Sequence, residues 1–307
     1  MKKYVLKRVL MAFLTLWAII TITFFLMHAV PGDPFSKEGK MPAAVYENLV
    51  SNFGLDKPLP DQYLIYLKNL AHLDFGISMK STTETVNQMI SRGFPVSATL
   101  GFAALAIALI FGPLLGCLAA INQNKWQDYM ATVIAIIGVS VPSFVLGAVF
   151  IQLAATAFRG ALPIGGWGSV KHVILPAISL AFMPLAYMAR LMRSSMIEVL
   201  NQDYIKTARA KGLGEYTVIF RHGVRNAILP IISSLGTNVA NLLVGSFVIE
   251  KIFGIPGLGL FFVQSINNRD YPLIMGTTIF YSMVLVFMIL IVDLLYMLID
   301  PRIKLTD

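Results

Sequence analysis

The sequence predicts an all-α membrane protein with six transmembrane helices, a helical segment outside the membrane after the first span, and a second helical element on the opposite side. Three observations carry this. Apolar residues make up 57% of the chain, gather in long blocks and give a mean hydropathy of +0.73. Charged residues are 13%, about half of the roughly 25% usual in soluble domains. The stretch Glu198–Pro230, EVLNQDYIKTARAKGLGEYTVIFRHGVRNAILP, is basic and polar yet flanked by apolar blocks. It is too charged to cross a bilayer and too regularly patterned to be a slack loop.

Six blocks are long enough to cross about 30 Å of hydrocarbon at about 1.5 Å per residue. They lie near residues 9–30, 96–121, 129–157, 173–195, 227–250 and 273–299. The first follows MKKYVLKRVL and resembles a signal peptide, but it exceeds a typical h-region and no small-x-small cleavage site follows. It reads as a retained span. Pro176 and Pro184 interrupt the fourth block, and Pro113 and Pro142 are expected to kink the second and third. Gly112 and Gly116 form a GxxxG pair, which predicts close helix packing.

The net charge of +8 reads as topology rather than nucleic-acid binding. Lys2, Lys3, Lys7, Arg8, Lys125, Arg190, Arg193, Lys206, Arg209, Lys211, Arg221, Arg225, Arg302 and Lys304 all fall on one side of a six-span chain. The positive-inside rule makes that side the cytoplasm and puts both termini there. Residues 31–95 are then external, and Asp33, Glu38, Glu47, Asp56, Asp61, Asp74 and Glu84 leave them without positive excess. Val45, Tyr46, Leu49, Val50 and Phe53, and later Val86, Met89 and Ile90, repeat at helical spacing. Short amphipathic helices are expected there, either capping the bundle or meeting an external delivery protein. The division is thus 1–30, 31–95 and a core of 96–307.

Within the basic stretch, Asp203 is placed to cap a helix running through Gly212, with Asn201 as the other start. Ile205, Ala208 and Gly212 share one stripe, mostly of small residues, which lets another surface approach the backbone. Lys206, Arg209 and Lys211 flank it. Gly212-Leu213-Gly214 then turns the chain into EYTVIFRH, whose Tyr216, Ile219 and Phe220 form an apolar face. The element reads as a docking helix, or as an interfacial helix on anionic lipid.

In the fifth block, Ser234, Asn238, Asn241 and Gly245 fall on one helical stripe. They serve either helix–helix hydrogen bonding or the wall of a cargo pathway, where asparagine supplies both donors and acceptors. Asp293 lies inside the sixth block, where an acid costs about 2.5–3.5 kcal/mol. It reads as a functional acid or as an ion-pair partner of Arg190 or Arg193.

No enzyme is legible. The chain lacks a GxxxxGK[ST] phosphate loop, and Asp74-Phe75-Gly76 stands without the rest of a kinase set. His28, His72, His172 and His222 show no metal spacing, and the single Cys117 sits in an apolar block.

DYIKTARAKG resembles the EAA loop of permease subunits of ATP-binding-cassette importers. The Glu-Ala-Ala, three residues, Gly pattern falls on Lys206, Thr207, Ala208 and Gly212, with the second Ala and the Gly literal. The late Ile228-Leu229-Pro230 resembles the peptide and nickel branch. MHAVPGDP, GLDKPLPDQYLIYL, LDFGIS, SVPSF, RSSMIEVLNQDYIKTARAKGL, FGIPGLG and NNRDYP resemble the "B" type oligopeptide permeases, in order and over nearly the whole chain.

The resemblance implies a type I importer permease fold and a coupling loop of Asp203, Tyr204, Ile205, Thr207, Ala208, Arg209, Ala210, Lys211 and Gly212. It implies a second homologous permease, two cytoplasmic ATPases carrying ATP and Mg, an external peptide-binding protein, and oligopeptide cargo in the cell membrane. It implies no cofactor on this chain. Dipeptides, nickel or metal chelates are the alternative cargo within the family. An ion-coupled secondary transporter using Asp293 is the alternative outside it.

Overall fold

The computed structural model describes residues 2–30, 35, 42–81, 84–157, 160–243 and 247–299. Among these there is no strand, only an isolated antiparallel bridge between Ile77 and Thr85. The helices are α1 (Lys2–Ala29), α2 (Ala43–Asn52), α3 (Leu59–Ala71), α4 (Val86–Ile121), α5 (Trp126–Ser140), α6 (Ser143–Thr156) and α7 (Val170–Leu200). They continue as α8 (Asp203–Ala210), α9 (Glu215–Thr217), a π-helical stretch Val218–Val224, α10 (Arg225–Ala227), α11 (Leu229–Leu243), α12 (Phe247–Ile252), α13 (Leu258–Asn268) and α14 (Tyr271–Ile299).

Among the described residues four helices, α1, α4, α7 and α14, are long and apolar enough to cross a membrane, or five spans result if α5 and α6 count as one. The third predicted block is not a straight span, because α5 and α6 meet at 111°. Val141 is extended at the break (φ −94°, ψ 123°), as expected of a residue preceding proline. The fourth block corrects the expectation in the other direction. α7 runs unbroken with Pro176 and Pro184 inside it, in surroundings that bury twelve of its side chains.

In the fifth block the described residues form α11, Leu229–Leu243, and helix is found again from Phe247 in α12. α4 begins at Val86 rather than near 96, because Val86, Met89 and Ile90 are buried and start the long helix instead of a separate short one.

The chain forms two compact units. The first comprises Met1–Val96 and Pro256–Val286, and the second Ser97–Ile255 and Phe287–Asp307. In the first, Pro58 precedes α3 and supplies extended backbone (φ −55°, ψ 142°). α3 lies along the end of α1, with Thr21 Oγ1 and Tyr63 Oη 2.6 Å apart and the Phe24 ring against Tyr63 and Tyr66. Asp270 accepts hydrogen bonds from Ser78 Oγ and from the Met79 N–H, tying the 74–81 stretch to the start of α14.

The second unit is organised around α7. A Cβ on Gly112 would stand 2.9 Å from the Leu185 carbonyl oxygen, and one on Gly116 would strike the Ala189 carbonyl and sit 2.6 Å from Met192 Cβ. The GxxxG pair therefore brings α4 onto the backbone of α7. Gly138 does the same for α5, facing Ala186. Gly116→Ala forces these backbones apart, so the account expects a loss of about 1–3 kcal/mol. The thermal unfolding midpoint of the purified protein should fall by several degrees.

Candidate functional site

α7 leads directly into the basic stretch. Asn201 and Gln202 make one turn, with Gln202 N–H on the Val199 carbonyl at 3.1 Å and Asn201 Nδ2 on Ile197 at 2.9 Å. α8 then begins. Its N-cap is Gln202, without a side-chain cap bond, so neither Asp203 nor Asn201 is the cap expected from the sequence. Asp203 occupies the first turn instead, where a carboxylate favours the helix dipole, and accepts from Lys206 Nζ at 2.9 Å. That pair is exposed and contributes little.

The end of α8 is a Schellman motif. Leu213 N–H reaches the Ala208 carbonyl at 3.3 Å, Gly212 N–H reaches Arg209 at 2.9 Å, and Gly212 has φ +80°. That left-handed backbone favours glycine, while the space beside it is open. Arg209 and Glu215 close over the turn in an ion pair at 2.8 Å.

The stripe read as room for a partner is partly filled by the chain itself. Ile205 and Ala208 are buried in a cluster with Val218. Asn226 Nδ2 donates to Tyr204 Oη at 3.2 Å, and buried Gly223 lies against Met196. Residues 201–227 are thus a hairpin packed on itself and on the end of α7. Its outward surface carries Tyr204, Thr207, Ala210, Lys211, Gly212, Leu213, Tyr216 and Phe220. Tyr216 is 74% exposed, its ring centroid 4.6 Å from that of Phe220. An exposed aromatic pair beside a turn with an open glycine suits a protein contact.

A second feature was not anticipated. Arg193 on α7 grips Asp128 on α5 through two hydrogen bonds, Nε–Oδ1 at 2.5 Å and Nη2–Oδ2 at 2.7 Å. The Asp128 side chain is 4% exposed and that of Arg193 32%. Asn124 N–H also reaches Asp128 Oδ2, at 3.0 Å. One reading of Asp293 pairs it with Arg190 or Arg193; the structure gives Arg193 to Asp128. The only signal in the sequence was an acid at the mouth of the third block opposite arginines of the fourth. Buried Glu250, which accepts from Ser97 Oγ at 2.7 Å, was likewise missed, although it stands in an apolar run.

Ser234 and Asn238 are half-buried on α11. Asn238 Nδ2 donates to the Ser234 carbonyl at 2.9 Å, so this pair satisfies part of its need within its own helix. Gly245 and the side chains of Asn241 and Asp293 lie outside the described residues.

Residues 112–305 match the family described as "Binding-protein-dependent transport system inner membrane component", and residues 1–101 match its N-terminal companion, "Binding-prot-dependent transport system membrane comp, N-term". The chain belongs to this family. It is 50% identical to the dipeptide transport system permease protein of Bacillus subtilis over 305 residues, covering 99% of both chains. It is 44% identical to the oligopeptide transport system permease protein of Haemophilus influenzae over 306 residues, covering 99% of this chain and all of that one. A crystal structure of an amino acid ABC transporter with histidines shares the fold, with a TM-score of 0.52 at 17% identity. That match covers 70% of this chain and 94% of the other. Members of this family are membrane components, not catalytic subunits.

Within this permease, Arg193→Gln leaves a buried carboxylate uncompensated, which costs about 3 kcal/mol or somewhat less given the partial exposure of Arg193. Combining it with Asp128→Asn should recover much of the loss. Chemical unfolding of the four members of the mutant cycle checks this, with a coupling energy of about 1–3 kcal/mol expected.

Proposed function

We propose that this chain is the transmembrane permease subunit of an ATP-driven peptide importer and forms half of the translocation pathway. The observation that carries the reading is full-length identity of 50% and 44% to dipeptide and oligopeptide permeases, joined to a hairpin with an exposed face at residues 201–227. The chain crosses the membrane six times, α11 and α12 together forming the fifth crossing. Both termini and the hairpin are cytoplasmic, as the basic residues support. Residues 31–95 lie outside and receive a peptide-binding protein.

A second homologous permease completes the pathway, and two ATPases holding ATP and Mg sit beneath. The coupling surface is the part of Asp203–Gly212 left exposed, Tyr204, Thr207, Ala210, Lys211 and Gly212, extended by Tyr216 and Phe220. Ile205 and Ala208 hold that surface in shape rather than touching the partner. ATP-driven closure moves α8. Because α8 follows α7 after a single turn and is packed on its end, the displacement passes into α7 and the helices seated on it. Alternating access follows. Ser234, Asn238, Asn241, Gly245 and Asp293 are assigned to the pathway wall. Peptide is the cargo, with dipeptides favoured over metal chelates by the 50% identical relative.

Gly212→Arg in the complete transporter puts a large side chain on the docking surface. Gly212→Asn serves as the backbone control, because asparagine tolerates the left-handed conformation. Arg should abolish peptide-stimulated ATP hydrolysis or assembly, and Asn should keep most of both. Unchanged assembly, stimulated hydrolysis and uptake with Arg would place the dock elsewhere.

A further inference from the structure

The first compact unit has a half-open cavity of about 380 Å³ formed by the end of α1, the α2–α3 turn, α3, residues 74–79 and the start of α14. It lies at the small end of the roughly 300–1,000 Å³ typical of small-molecule sites. Its wall is preformed. His28 Nε2 and Gln62 Oε1 meet at 3.0 Å, and Gln62 Nε2 donates to the Lys57 carbonyl at 2.8 Å. These bonds fix α1, the turn and α3 against one another.

Inside, Phe24, Tyr66 and Tyr271 give an aromatic lining. The Tyr66 hydroxyl is buried without a hydrogen-bond partner among the described residues. Burial pushes its pKa above the ordinary phenol value, so it stays a donor. With under 1 Å² of accessible surface, that hydroxyl belongs to the wall behind the aromatic lining and not to the space a guest would fill.

The rim carries Lys57 and Asp74, both exposed and neither in an ion pair among the described residues, with Asn52 and Asn69 beside them. One carboxylate, one ammonium and two amides around an aromatic hollow match a zwitterion with a backbone and an apolar side chain.

We infer that this cavity is a subsite for a short peptide, which seats an apolar side chain on the aromatic lining and sets its charged ends against Lys57 and Asp74. This rests on the peptide-importer reading and deepens it: cargo is held on this unit before it enters the pathway.

The test uses the complete transporter in nanodiscs and a tripeptide bearing a benzoylphenylalanine side chain. Photo-adducts should map to residues 51–79 and be competed by unlabelled tripeptide. Asp74→Asn keeps an acceptor for the Gly76 N–H and removes only the rim charge. It should weaken competition by about three- to tenfold. Ile65→Trp, which fills the cavity, should abolish the adducts while basal ATP hydrolysis persists. Adducts absent from this region, adducts displaced by phospholipid but not by peptide, or an Asp74→Asn protein equal to wild type would each overturn the subsite. If wild type imports peptide normally in those cases, the subsite alone fails. If wild type imports no peptide, the importer reading fails first.

Discussion

The second unit depends on how closely α7 is held. Glycines of α4 and α5 bring neighbouring backbones to it, at Leu185, Ala186 and Ala189, and the Asp128–Arg193 grip closes the same region with a partly buried, bidentate charge pair. Such a pair adds little net stability against an apolar replacement, but it strongly penalises any arrangement that separates its members. It therefore sets register more than it adds stability. Since α7 passes into α8 through one turn, this register also sets where α8 stands.

The same logic explains the form of the hairpin. An isolated eight-residue helix is unstable in water, so α8 needs packing to persist. Ile205 and Ala208 obtain it from Val218, and the Schellman turn at Gly212 reverses the chain so that Val218 can arrive. What remains exposed is a shaped surface attached to a buried helix. A coupling element needs those two properties: a face for the partner, and a stiff connection to the part that must move.

Much of this was legible in the sequence, and the exceptions have physical reasons. Length and hydropathy are local, so α1, α4, α7 and α14 stood out, and the Gly112/Gly116 spacing announced close packing. Proline marks a weak point without fixing the outcome. Pro142 breaks a helix into two at 111°, whereas Pro176 and Pro184 sit within an unbroken, densely packed one. Periodicity identified the Ile205–Ala208 stripe but not what fills it, because Val218 lies beyond a glycine turn. Asp128 and Arg193 are 65 residues apart, and no local pattern pairs them. The cavity in the first unit gathers five separate stretches of chain, which no linear motif could announce.

The central claim is that the hairpin's exposed face is the cytoplasmic dock for an ATPase. The most direct measurement places a photo-crosslinking amino acid at Tyr216 in the complete transporter in cell membranes and identifies its adduct by mass spectrometry. The account predicts a covalent adduct with an ATPase subunit. Adducts with lipid alone, or with a protein on the outer side of the membrane, would contradict it.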